Sequence, residues 1–189
     1  FNRRRRRIIA SNLMSAEVIS AINLSFSLGT VAFQLFSIFL IIGLVTKDKG
    51  RVFGLVAKNT LLLVFLVSLA GMLGSLAYEQ LVGFTPCMLC WYQRVVMYPI
   101  TIITLVALIK KKSLEVLDYA LTLAIIGAII GLWHNIEKMI GKELVSCDAT
   151  GPSCLQIFVD VFGYIDIPVM SLTFFILIIL LILNRRRFL

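Results

Sequence analysis

The sequence predicts an all-α integral membrane protein: a four-helix transmembrane bundle with one additional N-terminal span. Three observations lead there. The 189 residues are 60% hydrophobic and only 15% charged, with a mean hydropathy of +0.99, far more apolar surface than a soluble domain of this size can cover. The apolar residues come in runs close to the ~20 needed to cross a ~30 Å hydrocarbon core. The runs lack the period-two alternation of a barrel, and only helices and closed barrels satisfy their backbone in lipid.

The spans fall at about 23–45, 54–78, 92–109, 114–135 and 167–184. Residues 1–22 form a basic N-terminal segment, 23–45 the additional span, and 52–187 the four-helix bundle. The net charge of +8 is concentrated at the ends of apolar runs: Arg3 to Arg7, Lys110 to Lys112 and Arg185 to Arg187. Such clusters anchor helices and set topology, and they argue against nucleic-acid binding. Lys47, Lys49 and Arg51, the Lys110–Lys112 turn and the C-terminal arginines share one side if the spans alternate. The positive-inside rule makes that side cytoplasmic, with ten basic residues inside against three outside: Arg94, Lys138 and Lys142.

Arg3 to Arg7 conflict with that scheme, because five spans with the tail inside put them outside. Two resolutions stand. Either Met14 is the native start and residues 1–13 lie upstream of it, or residues 8–24 form an interfacial helix and the first span does not fully cross.

Gly71, Gly74 and Ser75, and likewise Gly127 and Gly131, have the small-residue spacing that lets helices approach closely. Their expected role is packing.

The outward loops, about 79–91 and 136–166, hold all four cysteines. Cys87-Met88-Leu89-Cys90 follows Pro86 and leads into an apolar run, so the motif opens a helix. A helix N-terminus favours a thiolate, and Arg94, one turn beyond Cys90, adds to the effect. Thiolates attack disulfides and electrophiles. Cys147 and Cys154 flank Gly151-Pro152, a turn signal that brings their Cα atoms toward disulfide range. The bland alternatives are structural staples, or a four-sulfur zinc site made by both pairs. The second pair lacks C-x-x-C spacing and faces an oxidising compartment, where disulfides persist, which counts against zinc.

Other candidates carry weaker signals. Arg94 at membrane depth is a functional residue by default, although at a helix end it could also snorkel to the headgroups. Trp91 and Tyr92 read as interfacial aromatics. His134, the sole histidine, reads as an interfacial residue or a proton carrier, and Gln93 is weaker still.

The run Pro86-Cys87-Met88-Leu89-Cys90-Trp91-Tyr92-Gln93-Arg94, followed by Met97-Tyr98-Pro99, resembles the signature of the DsbB/BdbC family of quinone-linked membrane disulfide oxidoreductases. Trp133-His134 before the second cysteine loop, and Ile167-Pro168-Val169-Met170-Ser171-Leu172 at the last span, strengthen the resemblance, which covers about 54–187. It implies two redox disulfides, Cys87–Cys90 and Cys147–Cys154. The Cys147–Cys154 loop would oxidise an extracytoplasmic thioredoxin-fold, DsbA-like dithiol oxidase, and Cys87 would exchange with that loop. Cys90 would lie nearest a membrane quinone (ubiquinone or menaquinone) and react with it. Arg94 would stabilise the thiolate and the developing quinone anion, with His134 and Gln93 as further quinone contacts. The same resemblance implies a bacterial cytoplasmic membrane and no metal.

Two departures stand out. Only six residues separate Cys147 and Cys154, as in the shorter-loop branch of the family, and the N-terminal span is not part of the usual core. Two other readings are a vitamin K epoxide reductase-like oxidoreductase and a cysteine-based metal-handling membrane protein. The first is disfavoured because its loop cysteines precede the C-x-x-C. Against the second, the sequence offers no run of intramembrane carboxylates or broken helices, which a transporter usually shows.

Overall fold

The computed structural model describes residues 2–46, 50–110, 115–143 and 153–188, with side chains from residue 16 onward. Six helices follow one another: α1 (Asn2–Thr46), α2 (Arg51–Lys58), α3 (Thr60–Gln80), α4 (Met88–Lys110), α5 (Val116–Ile140) and α6 (Ile167–Phe188). No strand occurs among the described residues, only an isolated bridge between Val161 and Ile165. Five helices are long and apolar enough to cross a membrane, and the protein is an all-α, multi-pass membrane protein.

The spans are where the hydrophobic pattern put them, with one correction. Residues 54–78 do not form one uninterrupted element. The helix breaks at Asn59, whose side-chain amide donates to the Leu55 carbonyl at 2.9 Å, while the Thr60 hydroxyl donates to Val56 and Ala57. Such back-bonding by short polar side chains competes with the helical ladder. The short α2 lies against α6: Phe53 and Ala57 are buried, the Asn184 amide donates to the Phe53 carbonyl and Arg185 to the Ala57 carbonyl. Arg186 pairs with Asp118 at the start of α5, and Arg187 donates to the Leu44 carbonyl near the end of α1. The C-terminal arginines thus tie four helices together at one end of the bundle.

The core runs down the centre of α3 to α6, around Val64, Ile100, Ala120, Phe175 and Ile178. The glycines serve packing. A Cβ on Gly127 would stand 2.2 Å from the Phe175 ring, so the α5–α6 approach requires glycine there. α1 contributes a narrow buried stripe, Ser27, Thr30, Ser37 and Leu40, spaced to fall on one helix face. Its Leu24, Leu28 and Leu35 are exposed, as a lipid-facing surface is. Arg3 to Arg7, Lys47, Lys49, Lys111, Lys112, Cys147 and the Gly151-Pro152 turn lie outside the described residues or side chains.

Candidate functional site

At the end of the bundle opposite the C-terminal arginines, α4 begins immediately after Cys87. Pro86 disfavours helix in the residue before it, and the chain stays non-helical up to Cys87. The Cys87 carbonyl then accepts the first helical bond, from Trp91 N at 3.1 Å. Cys87 is therefore the cap, and Cys90 lies in the first turn of α4 rather than in a loop. Both are free thiols, with their sulfurs 2.8 Å apart. The opening of a helix at this motif, expected from the sequence, places both sulfurs near the positive end of its dipole.

The two thiols face different surroundings. Cys87 is buried with Leu89 and Cys154 in a small cluster. His134, only 2% exposed, stands between them. Its Nε2 lies 4.0 Å from Cys87 Sγ and 3.1 Å from the Cys154 carbonyl oxygen. Nδ1 has no hydrogen-bond partner among the described residues. Cys154 is in a disulfide, and Cys147 lies outside the described residues. The Cys154 amide donates to Glu143 Oε1 at 3.1 Å, which Ser153 Oγ also contacts. Close by, Lys138 pairs with Asp166, and the Asp166 carboxylate caps α6 by accepting from Val169 N at 3.0 Å. Just ahead of the span, the Cys87 thiol is held well below the ordinary thiol range. The hydrogen bond from Cys90 is the largest cause and the His134 hydrogen bond a lesser one, while burial works in the opposite direction.

Cys90 opens onto the second environment, a largely apolar cavity of about 110 Å³ between α1, α3, α4 and α6. Arg94, Gln93, Met97 and Tyr98 of α4 line it, with Gly74 and Tyr78 of α3 and Phe174 of α6. Arg94 does not snorkel. It is 9% exposed; its Nε donates to Ser75 Oγ at 2.7 Å and its Nη2 to the Ser75 carbonyl at 3.0 Å. Nη1 pairs with Glu79, and the guanidinium lies 5.1 Å from the Trp91 ring centroid. A planar fork held at three nitrogens is fixed in place. Gln93 Nε2 and the hydroxyls of Tyr78 and Tyr98 are buried without a hydrogen-bond partner among the described residues, and all three side chains line the cavity. Buried polar atoms are ordinarily paired. The cavity therefore fits a flat apolar group bearing hydrogen-bond acceptors.

The sequence-derived candidates sort accordingly. Cys90, Arg94 and Gln93 come together at the cavity. Cys87 and His134 meet Cys154 at a smaller pocket that Cys90 also borders, and His134 does not line the apolar cavity. Trp91 and Tyr92 are about half exposed on the outer surface. Cys87, Cys90 and His134 also place three ligand atoms within 4.8 Å of one another, a set that could hold a soft cation. Sequence reasoning missed Glu79, Ser75 as a hydrogen-bonding partner, and the Lys138–Asp166 pair. The signal for Glu79 was present: a carboxylate at the end of a membrane span, one turn after Ser75, where a charge requires a partner.

The family profile of disulfide bond formation protein DsbB matches residues 57–184. The SPbeta prophage-derived disulfide bond formation protein B of Bacillus subtilis (strain 168) is 41% identical over 121 residues, covering 64% of this chain and 81% of that protein. A probable disulfide formation protein of Metapseudomonas resinovorans is 40% identical over 132 residues, 68% of this chain and 91% of that protein. Disulfide bond formation protein C of Bacillus subtilis (strain 168) is 38% identical over 127 residues, 65% and 91% of the two chains. No solved structure matches.

Proposed function

The chain belongs to the DsbB family of disulfide bond formation proteins and is a membrane disulfide oxidoreductase; from that premise we propose that it reoxidises an extracytoplasmic, thioredoxin-fold (DsbA-like) dithiol oxidase and delivers the electrons to a membrane quinone. The observation that carries this reading is the position of Cys90 at the junction of two environments. Cys87 packs with Cys154 and does not line the apolar cavity, whereas Cys90 borders that same cluster and also lines the cavity beside Arg94.

The chemistry balances as follows. A partner thiolate attacks the loop disulfide that includes Cys154, and the partner's own disulfide forms as the loop becomes a dithiol. A loop thiolate then attacks the Cys87–Cys90 disulfide, re-forming the loop disulfide and leaving Cys87 and Cys90 reduced. The Cys87–Cys90 disulfide then re-forms, giving up two electrons and two protons, for which a quinone held beside Cys90 and Arg94 would be the acceptor. Cys87 is suited to the exchange step, since its depressed thiol leaves readily when a disulfide to it is attacked. His134 Nε2, which carries its hydrogen toward the Cys154 carbonyl, lies 4.0 Å from Cys87 Sγ and would stabilise the Cys87 thiolate as a donor. Arg94 holds a fixed positive charge beside Cys90, which favours negative charge developing there. Gln93, Tyr78 and Tyr98 supply unpaired donors for the carbonyl oxygens of a ring. At about 110 Å³ the cavity is smaller than the roughly 150 Å³ apolar cavity that accepts benzene in an engineered protein, so a quinone would enter it with one edge of its ring and leave its substituents and tail outside.

Sidedness follows the charge. The basic tail, tied to α1, α2 and α5 at one end, is read as cytoplasmic, and both cysteine clusters as extracytoplasmic, in a bacterial cytoplasmic membrane. The deciding experiment mixes purified protein with a reduced C-x-x-C partner and follows quinone absorbance. Quinone reduction matched by partner oxidation supports the proposal. A second reading draws on the Cys87–Cys90–His134 cluster, which would bind a metal ion in a handling role. It predicts about one bound equivalent of metal and thiol chemistry indifferent to quinone.

A further inference from the structure

We propose that α1, the helix outside the family core, forms part of the acceptor-binding site, with Phe26 and Thr30 closing the side of the cavity that faces lipid. The inference rests on the reading of that cavity as the quinone site and adds a wall to it.

The family match begins at residue 57, so α1 lies wholly outside it. Yet Phe26 and Thr30 of α1 line the same cavity as Cys90 and Arg94. The Phe26 ring packs against Tyr78, with centroids 5.3 Å apart and a tilt of 43°. It comes so close to α3 that a Cβ on Gly74 would sit 3.4 Å from it. Thr30 is buried, and its hydroxyl is committed to the Phe26 carbonyl at 2.8 Å, so this wall offers bulk rather than a free donor. One turn further on, Phe33 meets Phe174 edge-on at 5.3 Å.

α1 is fastened in this position by two polar bonds, one to α6 and one to the outward loop, of the kind that helps hold membrane helices together. Gln34 Nε2 donates to Thr173 Oγ1 on α6 at 3.3 Å, and Tyr164 OH donates to Gln34 Oε1 at 3.0 Å. The outward residues Leu24, Leu28 and Leu35 are exposed, so α1 has the cavity on one side and lipid on the other. A ring held at Cys90 would meet Phe26 and Thr30 on the α1 side of the cavity. Phe26 and Gln34 therefore set how tightly and for how long quinone is held.

The test uses the full-length protein in lipid nanodiscs and measures equilibrium binding and dissociation of a decyl-substituted benzoquinone. Phe26→Ala is expected to speed dissociation and weaken binding by about tenfold, the scale of one lost aromatic contact. Gln34→Ala should act in the same direction by unfastening the helix, and lipid-facing Leu28→Ala should leave both quantities unchanged. Wild-type dissociation rates in both Phe26→Ala and Gln34→Ala would overturn the inference while leaving the quinone site intact. Absence of saturable binding to the wild type would overturn the quinone reading and this inference together. If Phe26→Ala fails to fold, Phe26→Leu and Gln34→Ala decide the matter by the same two rates.

Discussion

The two sides of the C-x-x-C differ in almost every physical respect. On the Cys87 side, the sulfur sits in a small apolar cluster with Leu89 and Cys154 beneath a polar layer: His134 touches both cysteine regions, Lys138 and Asp166 pair nearby, and Glu143 holds the Cys154 amide. On the Cys90 side the surroundings are largely apolar, and the one charged side chain lining the cavity is Arg94, held by Ser75 and paired with Glu79 behind it. Thiol exchange with a protein partner needs proton acceptors and access from water. Reaction with a lipid-soluble acceptor needs a dry cavity and a fixed charge to stabilise the reduced product. Two cysteines three residues apart meet both needs because the first turn of α4 crosses the boundary between these media.

The most severe test of that division is Cys90→Ala. It should abolish quinone reduction while the disulfide at Cys154 still forms, as read by quinone absorbance and by mass spectrometry of the loop. Full turnover in this variant would end the assignment of Cys90 to the cavity side. Arg94→Ala comes next. It should lower kcat/KM for quinone by about 100-fold, on the scale of removing one preorganised electrostatic group, and leave the loop disulfide intact. Arg94→Lys should recover only part of the loss, because an ammonium cannot reproduce the fork between Ser75 and Glu79. Unchanged quinone kinetics in Arg94→Ala would mean that the charge serves packing alone. His134→Ala should have a smaller effect on the other side. Exchange between the cysteine pairs should slow by about tenfold or more, with quinone affinity unaltered. A loss of quinone affinity instead would place the imidazole's influence in the cavity and break the comparison.

The sequence made the bundle legible because lipid imposes a simple rule: runs of about twenty apolar residues must be helices. It also made the chemistry legible, since Pro86 and the apolar run after Cys90 leave the motif little choice but a helix start. What it could not convey was which side each residue serves. Arg94 and His134 each had two readings in one dimension. Only the approach of α3 shows Arg94 held by Ser75 and Glu79, and only the packing of α5 against the loop brings His134 to Cys87. Phe26 was invisible as a site residue, because nothing in an apolar helix marks one phenylalanine as a cavity wall. The break at Asn59 escaped hydropathy for a similar reason: one amide in an apolar stretch barely alters the average but redirects a hydrogen bond.

The smallest expected effect, and the finest probe of the Cys87 side, is the titration of its thiol. A thiol ordinarily ionises near pH ~8.5. In the reduced protein the hydrogen bond from Cys90, aided by His134, draws Cys87 well below that value. A depressed folded value means that ionised Cys87 stabilises the reduced fold above the unfolded value, and that this contribution fades as pH falls through the folded one. Thiolate ultraviolet absorbance of the reduced protein should therefore already be present at neutral pH and disappear only in acid. The Cys87→Ala variant should lack that signal. In His134→Ala the fall should move to higher pH without reaching the ordinary range, because the Cys90 hydrogen bond remains. If the wild-type thiolate appeared only above pH ~8.5, Cys87 would have no special leaving ability, and the contrast between the two sides would rest on the cavity alone.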